Sequence, residues 1–328
     1  MSKISIIGAG AWGTTLSILA AENGHSVKLW SYEEDVVKSI NEKRENNKYL
    51  NGFQLPQNIE ATGDLKAAAD CDMMIFATPS QYLRETLRNV SRFVQKGCTV
   101  VSAVKGLELE TQKTMSTVVK EEIPAKAIVV ISGPNISKEI ARGLPAATVA
   151  ACKDIETAKI VQQALNSKRF RVYTNSDVIG AELGGALKNV IAIAAGVVDG
   201  LMLGNNAKAA LMVRGIVEIM RLGVAMGGKS ETFSGLSGIG DLITTCNSTL
   251  SRNHFVGVEI AKGRKVSDII TKMYDVAEGV PTAKAARALS RKVKIEMPIT
   301  EEVYSVIYDG KDPFKAISSL MARDLKNE

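Results

Sequence analysis

Histidine and cysteine, the residues that build most metal and redox sites, are scarce in this chain. Its 328 residues include two histidines, His25 and His254, and four cysteines. The cysteines are Cys71, Cys98, Cys152 and Cys246. They are widely scattered, so the chain lacks the closely spaced pairs of zinc-binding and redox motifs. The sequence therefore predicts no metal site, and we expect the cysteines to be small core residues.

Long apolar runs and a secretory leader are also missing. Uninterrupted apolar runs stay well below the roughly 18 residues that span a bilayer. The N-terminus has no basic segment followed by an apolar core and a small-residue cleavage site. We therefore expect a cytoplasmic protein without an integral membrane segment.

Dense runs of one charge are absent as well. The formal net charge is +6 and the pI is about 9.0. Lysine and arginine are interspersed with aspartate and glutamate, so nucleic acid is not expected as a partner. A solvated surface explains most of the charge, and the positive remainder could attract small anionic substrates.

The first half of the chain alternates short β-rich runs with longer helical patterns. The predicted strands are residues 3–7, 27–30, 73–77, 99–103, 128–132, 147–151 and 170–173. The predicted helices between them are residues 14–23, 81–93, 114–122 and 155–167. This alternation predicts an α/β fold with a Rossmann-type, doubly wound and mostly parallel sheet.

After about residue 180 strand-like segments nearly disappear, and helices rich in small residues take over. Helical patterns cover residues 183–198, 207–226 and 281–291. At 328 residues the chain also exceeds what one hydrophobic core usually organises. We expect a sheet domain in residues 1–180 and a C-terminal, all-helical domain in residues 181–328.

The first predicted strand runs directly into a glycine loop formed by Gly8, Gly10 and Gly13. In dinucleotide-binding folds the first glycine makes the tight turn, the second lets the backbone approach the pyrophosphate, and the third allows close helix packing. The next helix presents unpaired N–H groups and its positive dipole end to phosphate. Because strand, loop and helix follow in the required order, a dinucleotide site is favoured over a structural turn.

The end of the second strand leaves the choice between NAD and NADP open. An NAD enzyme usually carries an acidic residue there, and an NADP enzyme has an arginine nearby. This chain instead reads Trp30-Ser31-Tyr32-Glu33-Glu34. Glu33 or Glu34 could favour NAD, or either could simply begin the next helix.

Lys188 and Asn189 are the only strongly polar residues between Leu183 and Val198. Burying an ammonium group is costly unless it is paired or used in chemistry. Alone, this pattern favours a salt-bridged lysine in a core helix. Together with the glycine loop, it predicts that Lys188 is an acid and base beside a redox cofactor, on a helix whose glycines admit backbone or a ligand.

Two loops of the sheet domain carry candidate polar groups. Lys105 follows a predicted interior strand, where a contact with phosphate or a reacting carbonyl is favoured over an ordinary surface position. Gly133-Pro134-Asn135 follows the next strand. This sharp turn could aim N–H groups and an amide at a ligand, or could be a turn alone.

Two segments of the helical domain also stand out. Residues 235–242 are too glycine-rich for a stable helix interior, so we expect a loop or the close-packed start of a helix that presents Asp241. Ser251, Arg252 and Asn253 offer a hydroxyl, a guanidinium and an amide suited to phosphate oxygens. Read singly, Asp241 could be a helix cap and Arg252 a surface ion-pair partner.

These motifs together resemble those of the bacterial NAD(P)-dependent glycerol-3-phosphate dehydrogenases over nearly the full chain. The matching segments are GAGAWG at 8–13, VKG at 104–106, SGPN at 132–135, GGALKNVIAI at 184–193, GLSGIGDL at 235–242, SRN at 251–253 and VAEG at 276–279. The chain departs from the family at two positions. Many relatives have Arg or His where this chain has Tyr32, and Ser or Thr where it has Asn135.

The resemblance implies reversible reduction of dihydroxyacetone phosphate to sn-glycerol 3-phosphate with NAD or NADP, for glycerophospholipid synthesis, by a homodimer. It implies that Lys188 is the catalytic proton donor and acceptor, assisted by Lys105 and Asp241. The implied cofactor contacts are Gly8, Gly10, Ala11, Trp12, Gly13, Tyr32, Lys105, Ser137, Arg252, Val276 and Glu278. The implied substrate contacts are Lys105, Gly133, Asn135, Lys188, Asp241, Ser251, Arg252 and Asn253.

Two other interpretations of the sequence stay open. A different two-domain dehydrogenase of similar architecture would recognise the carboxylate of a 2-hydroxy or 3-hydroxy acid. A catalytically silent NAD-binding sensor would bind cofactor without turnover. An assay of dihydroxyacetone phosphate against pyruvate-like substrates separates these possibilities.

Overall fold

The first half of the chain forms an eight-stranded sheet in the computed structural model, which describes residues 1–274 and 276–325. The strands are β1 (Lys3–Ile7), β2 (Ser26–Trp30), β3 (Ile59–Thr62), β4 (Met73–Phe76), β5 (Thr99–Ser102), β6 (Ile128–Ser132), β7 (Ala146–Ala151) and β8 (Phe170–Asn175). Their order is β3-β2-β1-β4-β5-β6-β7-β8, and every neighbouring pair is parallel except the antiparallel β6–β7 pair. The predicted doubly wound, mostly parallel sheet is confirmed.

Helices cover this sheet, as a parallel sheet requires. They are α1 (Ala11–Glu22), α2 (Glu34–Lys43), α3 (Leu65–Ala68), α4 (Leu83–Ser91), α5 (Met115–Glu122), α6 (Ser137–Ala141) and α7 (Ile155–Leu165). The central strands are buried on both faces, and all four residues of β4 are buried. This explains why their sequences read as continuous apolar runs rather than alternating patterns. Strand order reverses between β1 and β4, where open sheets form ligand crevices.

The rest of the described chain is helical. Its helices are α8 (Val178–Gly200), α9 (Gly204–Ala225), α10 (Ser230–Phe233), α11 (Asp241–Asn247), α12 (Arg252–Ala261), α13 (Val266–Thr271), α14 (Gly279–Lys292), α15 (Pro298–Tyr308) and α16 (Pro313–Met321). Helix α8 is long and apolar enough to cross a membrane, yet 89% of its most apolar window is buried inside the protein. Burial of this kind is typical of a core helix.

Helices α8 and α12 cross in backbone contact at two glycines. A Cβ atom on Gly196 would lie 2.0 Å from the carbonyl oxygen of His254, and one on Gly257 would lie 2.0 Å from that of Ile193. The small residues of α8 therefore admit backbone, as one of the two sequence interpretations held. This contact holds the start of α12 beside the segment of α8 that carries Lys188.

Some elements differ from the sequence prediction. The prediction missed β3, α3 and α6, and it gave no bounds for α2, although it allowed a helix to begin at Glu33 or Glu34. The β3 segment is a four-residue edge strand with the sequence IEAT, too short and polar for a β-rich pattern. Of the two expectations for residues 235–242, a loop is wrong, because a single π-helical turn at Leu236–Gly240 leads directly into α11.

The division into domains at residue 180 stays a prediction. Helix α8 begins at Val178 and packs against both β6 and the later helices, so its first turns contact the two parts of the chain. Residue 275 and the end of the predicted helical domain, residues 326–328, lie outside the described residues.

Candidate active site

A cleft of about 890 Å³ opens between the carboxyl ends of the strands and the helical part of the chain. Most of the predicted site residues line it, namely Gly8, Gly10, Ala11, Trp12, Tyr32, Lys105, Asn135, Ser137, Lys188, Ser251, Arg252, Asn253, Val276 and Glu278. Gly13, Gly133 and Asp241 are not part of its wall. These three lie just behind it and support residues that are.

The glycine loop has the geometry of a pyrophosphate cradle. Gly8 has φ +116°, and a Cβ atom there would lie 2.9 Å from the backbone of Ala77. A Cβ atom on Gly10 would have no neighbour within 4 Å, so this position leaves room for a ligand. A Cβ atom on Gly13 would lie 1.8 Å from the carbonyl oxygen of Gly8. The geometry at each glycine therefore agrees with the role that the dinucleotide fingerprint assigns to that position.

Two polar side chains in the wall of this cleft are buried without a partner among the described residues. They are the indole Nε1 of Trp12 and the hydroxyl of Thr78. Buried polar groups almost always have hydrogen-bond partners, so these two atoms fit a polar ligand in the cleft. Together with the open space at Gly10, they support the fit of these residues to a dinucleotide.

Two lysines from different parts of the chain share one buried carboxylate at the floor of the cleft. Lys188 Nζ donates to Asp241 Oδ1 at 2.9 Å, and Lys105 Nζ donates to Asp241 Oδ2 at 2.7 Å. Asp241 is 1% exposed and Lys188 is 7% exposed. The two alternatives for Lys188 are thus compatible, since it is salt-bridged in a core helix and also faces the cleft.

The second lysine is held in an unusual electrostatic environment. Burial lowers the pKa of Lys105 to about 8, Asp241 opposes this shift, and the nearby charge of Lys188 adds to it. Lys105 also donates to the carbonyl oxygen of Gly133 at 2.8 Å. The turn after β6 therefore positions Lys105, which is a role of Gly133 that the sequence did not indicate.

Asn135, in the same turn, points its amide at the protein. Its Oδ1 accepts from Thr148 Oγ1 at 3.0 Å, and its Nδ2 donates to the carbonyl oxygen of Ala147 at 3.4 Å. These contacts brace the turn against β7. Asn135 still lines the cleft, so its predicted contact with substrate stays a prediction.

The Ser251-Arg252-Asn253 segment forms the beginning of α12. Ser251 caps this helix, its Oγ accepting from the N–H of His254 at 3.3 Å. Asn253 Nδ2 donates to Asn189 Oδ1 at 2.8 Å, and its Oδ1 accepts from the N–H of Gly279 at 2.8 Å. Asn253 therefore ties α8, α12 and α14 together beside the cleft.

Glu278 joins the helical part of the chain to the loop after β4. Its carboxylate accepts from the N–H of Ser80 at 2.8 Å and from the hydroxyl of Ser80 at 2.5 Å. Burial raises the pKa of Glu278, and the bonds from Ser80 and the charge of Arg252 oppose the shift. Arg252 itself lines the cleft, rather than lying on the outer surface as one interpretation held.

Sequence reasoning missed three polar residues at this site. Thr245 Oγ1 accepts from Lys188 Nζ at 2.5 Å, and Asn189 contacts Asn253. Asn46, which is completely buried, donates to the carbonyl oxygen of Ala9 in the glycine loop at 2.8 Å. The position of Thr245, four residues after Asp241 on one helix face, is the signal that could have identified it.

Among residues 1–274 and 276–325, no three His, Cys, Asp or Glu side chains are grouped so that they could hold a metal ion. The polar part of the cleft wall consists of lysine, arginine, amide and hydroxyl groups together with the carboxylates of Glu33, Glu85 and Glu278, and the buried carboxylate of Asp241 lies behind it. This donor set is suited to anionic and hydroxyl-bearing ligands.

Comparison with known proteins identifies the family. The N-terminal and C-terminal models of NAD-dependent glycerol-3-phosphate dehydrogenase match residues 3–158 and 177–318. A glycerol-3-phosphate dehydrogenase (NAD(P)+) of Solidesulfovibrio magneticus is 48% identical, over 99% of this chain and 100% of the relative. One from Bacillus licheniformis is 48% identical over 98% of this chain and 95% of the relative.

Solved structures agree with the sequence relatives. A crystal structure of glycerol-3-phosphate dehydrogenase from Coxiella burnetii aligns with a TM-score of 0.95 and 36% identity, covering 98% of this chain and 99% of that one. Fold, glycine loop and full-length similarity thus agree. The chain belongs to the NAD-dependent glycerol-3-phosphate dehydrogenase family.

Proposed function

We propose that the protein catalyses the reversible reduction of dihydroxyacetone phosphate to sn-glycerol 3-phosphate with NADH or NADPH. The observation that carries this proposal is the pair of lysines on Asp241, which lies at the floor of a cleft that also contains the glycine loop. Relatives at 48% identity, which are named glycerol-3-phosphate dehydrogenases, support the same reaction.

In this proposal Lys188 is the acid and base. The chemistry supplied by the bound dinucleotide is hydride transfer to and from the substrate carbon. As negative charge grows on the carbonyl oxygen, protonated Lys188 Nζ stabilises it and donates its proton. In the reverse direction the neutral amine takes the proton from the hydroxyl. Asp241 and Thr245 keep the amine in place through their bonds to Nζ.

The remaining polar residues bind and orient the substrate. Lys105 places a second positive charge beside Lys188, and Arg252, Ser251 and Asn253 supply donors for the phosphate and hydroxyls. Binding energy from the phosphate, far from the reacting carbon, orients the carbonyl and so contributes to rate as well as affinity. The cofactor contacts the glycine loop and the side chains of Tyr32, Ser137, Val276 and Glu278. These side chains line the same cleft.

A direct assay tests this function. Purified protein is expected to oxidise NADH or NADPH when dihydroxyacetone phosphate is added, and to show no comparable rate with pyruvate or other 2-oxo acids. Preference for a 2-oxo acid would replace the proposal with a hydroxy-acid dehydrogenase. Tight dinucleotide binding without turnover on any of these substrates would replace it with a sensor.

We also propose that the enzyme is a homodimer. Helix α9 supports this because it buries five residues along one side and leaves Val213 and Val224 about half exposed, at 49% and 46%. Contiguous exposed apolar patches mark protein interfaces, and these two valines are the apolar residues of α9 that such a patch would include. Sedimentation of the purified protein is expected to give the mass of two chains, and the mass of one chain would contradict the proposal.

We further propose a cytoplasmic enzyme whose product enters glycerophospholipid synthesis. The thiols support the location, since Cys71 and Cys98 lie 3.9 Å apart, sulfur to sulfur, and are free, as in reducing compartments. Cell fractionation is expected to recover the activity with the soluble fraction. Recovery with the membrane or secreted fraction would contradict the location.

A further inference from the structure

The loop after β2 carries an ion pair, of which Glu33 lines the cleft. Glu33 follows this strand by three residues, and its carboxylate accepts from the Lys48 ammonium group. The Glu33 side chain is 12% exposed and that of Lys48 is 31% exposed. Glu33 lies in the cleft wall with Tyr32 and Tyr49, and the Lys48 ammonium lies 5.5 Å from the centre of the Tyr49 ring.

Glu33 and Glu34 are distinguished by this geometry. Glu33 occupies the N-cap position of α2, but its side chain makes no capping hydrogen bond. Its N–H donates to Ser31 Oγ at 3.1 Å, which fixes the backbone that carries it. Glu34 is the first residue of α2 and is not part of the cleft wall. Of the two acidic residues, only Glu33 is therefore held toward a ligand.

A carboxylate after the second strand has a defined effect in dinucleotide-binding folds. It accepts hydrogen bonds from the adenosine ribose hydroxyls of NAD, whereas the 2′-phosphate of NADP requires a cation there. That phosphate carries a charge of about −1.5 to −2, so an adjacent carboxylate repels it. The Glu33–Lys48 pair supplies both signs of charge, but Lys48 is engaged by Glu33.

We propose that the Glu33–Lys48 pair makes this protein select NAD(H) over NADP(H). Glu33 provides the acceptor for the ribose hydroxyls and also holds Lys48 away from the position of a 2′-phosphate. Binding of NADP(H) would require Lys48 to leave Glu33, which exposes an unpaired carboxylate to the phosphate. This inference rests on the proposed function, whose cofactor it narrows from either dinucleotide to NAD(H).

Equilibrium binding tests the selectivity without turnover. Calorimetric titration of the full chain is expected to give a Kd for NADH at least about tenfold below that for NADPH, since a tenfold ratio corresponds to about 1.4 kcal/mol. Glu33→Gln removes the repelling charge and releases Lys48. The Kd for NADPH should therefore fall by about tenfold or more relative to the Kd for NADH. The double variant Glu33→Gln/Lys48→Met should lose most of this gain.

Glu34→Gln is the matched control, because it removes the same charge one residue away, outside the cleft wall. The ratio of its Kd values for NADH and NADPH should stay close to that of wild-type protein. Tighter binding of NADPH than NADH by wild-type protein would overturn the inference. So would equal changes of the Kd ratio in the Glu33 and Glu34 variants. A gain in NADPH affinity that persists in the double variant without Lys48 would also overturn it.

The outcomes also separate this inference from the proposed function. If wild-type protein selects NADH through Glu33 but fails to reduce dihydroxyacetone phosphate, the proposed function fails and the selectivity stands. If the enzyme reduces dihydroxyacetone phosphate but Glu33→Gln leaves the Kd ratio unchanged, the inferred basis of selectivity is wrong and the proposed function stands. Absence of binding for both dinucleotides would overturn the two together.

Discussion

Replacing Lys188 with methionine removes the ammonium group that faces the cleft while leaving Asp241 paired with Lys105. Because Lys188 is proposed to donate the proton and stabilise the growing negative charge, kcat should fall by about 10³-fold or more. The Kd for NADH should change little. Steady-state kinetics and calorimetric titration measure the two effects.

Lys208 provides a matched control for this variant. Its side chain is 13% exposed and donates to Asp199 at 2.6 Å, outside the cleft wall. Lys208→Met should therefore retain a kcat near that of wild-type enzyme. Retention of full activity by Lys188→Met, or equal losses in the two variants, would refute the role of Lys188.

The pH dependence of the reduction should report Lys105. Burial lowers the pKa of this residue to about 8, against the opposing effect of Asp241. Its positive charge is therefore present below about pH 8 and is lost as the pH rises through that value. If this charge helps bind substrate, kcat/KM for dihydroxyacetone phosphate should decline above about pH 8.

Lys105→Arg tests the assignment, because arginine stays protonated over this range. The alkaline decline should move to higher pH in the variant, whatever the absolute rate. An unchanged position of the decline would show that a different group is responsible. The comparison is made on the shape of the profile, since Lys105 contacts both Asp241 and Gly133.

Among single residues of the site, the charged side chains could be predicted from the sequence more readily than the neutral polar ones. Lys188 could be found because an ammonium group in an apolar helix is conspicuous, and Asp241 because it follows a glycine-rich segment. Asn46 could not be singled out, since asparagine is common and its importance comes from a contact distant in sequence. Asn46 reaches Ala9, 37 residues away.

Among the elements, strands and helices with a strong pattern were predictable and weak ones were not. Strands β1, β4, β5 and β6 lie inside the sheet and read as apolar runs. Helix α2 buries only Val36 and Ile40 among its ten residues, so its apolar pattern is too sparse to define its bounds. The crossing of α8 and α12 depends on which residues face each other, which only the fold determines.

That crossing gives a prediction for stability. Gly257→Ala would place a methyl group 2.0 Å from the carbonyl oxygen of Ile193. Because the neighbour is backbone, the helices would have to separate, and the free energy of unfolding should fall by about 3 kcal/mol. Urea unfolding followed by circular dichroism measures the change.

Gly240→Ala is the control for this substitution. Gly240 has φ −61°, and the nearest atom to an added Cβ would lie 3.5 Å away. The methyl group should therefore be tolerated, with a change within about 1 kcal/mol. Equal effects of the two substitutions would show that close packing of α8 and α12 does not contribute to stability.

Across the whole molecule, three carboxylates of the helical part accept hydrogen bonds from residues of the sheet part. Asp241 accepts from Lys105, Glu278 from Ser80, and Glu182 of α8 from Ser116. Residue patterns alone could not predict these links, because each joins positions at least 66 residues apart, and only Lys105 and Asp241 were brought together by the family resemblance. Links of this kind should couple the unfolding of the two parts of the chain.

The Glu182 link predicts how the two parts are coupled. Its carboxylate, on a residue that is 7% exposed, accepts from the N–H of Ser116 at 2.7 Å and from its hydroxyl at 2.5 Å, at the start of α5. Glu182→Ala leaves these donors without their acceptor, which should cost about 2–3 kcal/mol. It should also weaken the coupling between the sheet and the helical part.

Two spectroscopic signals report different portions of the chain. Tryptophan fluorescence reports the sheet part alone, because both tryptophans, Trp12 and Trp30, lie there, whereas helical circular dichroism reports the helices of both parts. In wild-type protein, unfolding curves from tryptophan fluorescence and from helical circular dichroism should coincide. In Glu182→Ala they should shift to lower urea and separate. Glu156→Ala, which removes an exposed carboxylate paired with Lys159, should leave the curves coincident and almost unmoved. Coincident, unshifted curves for Glu182→Ala would show that the Glu182–Ser116 link does not couple the two parts.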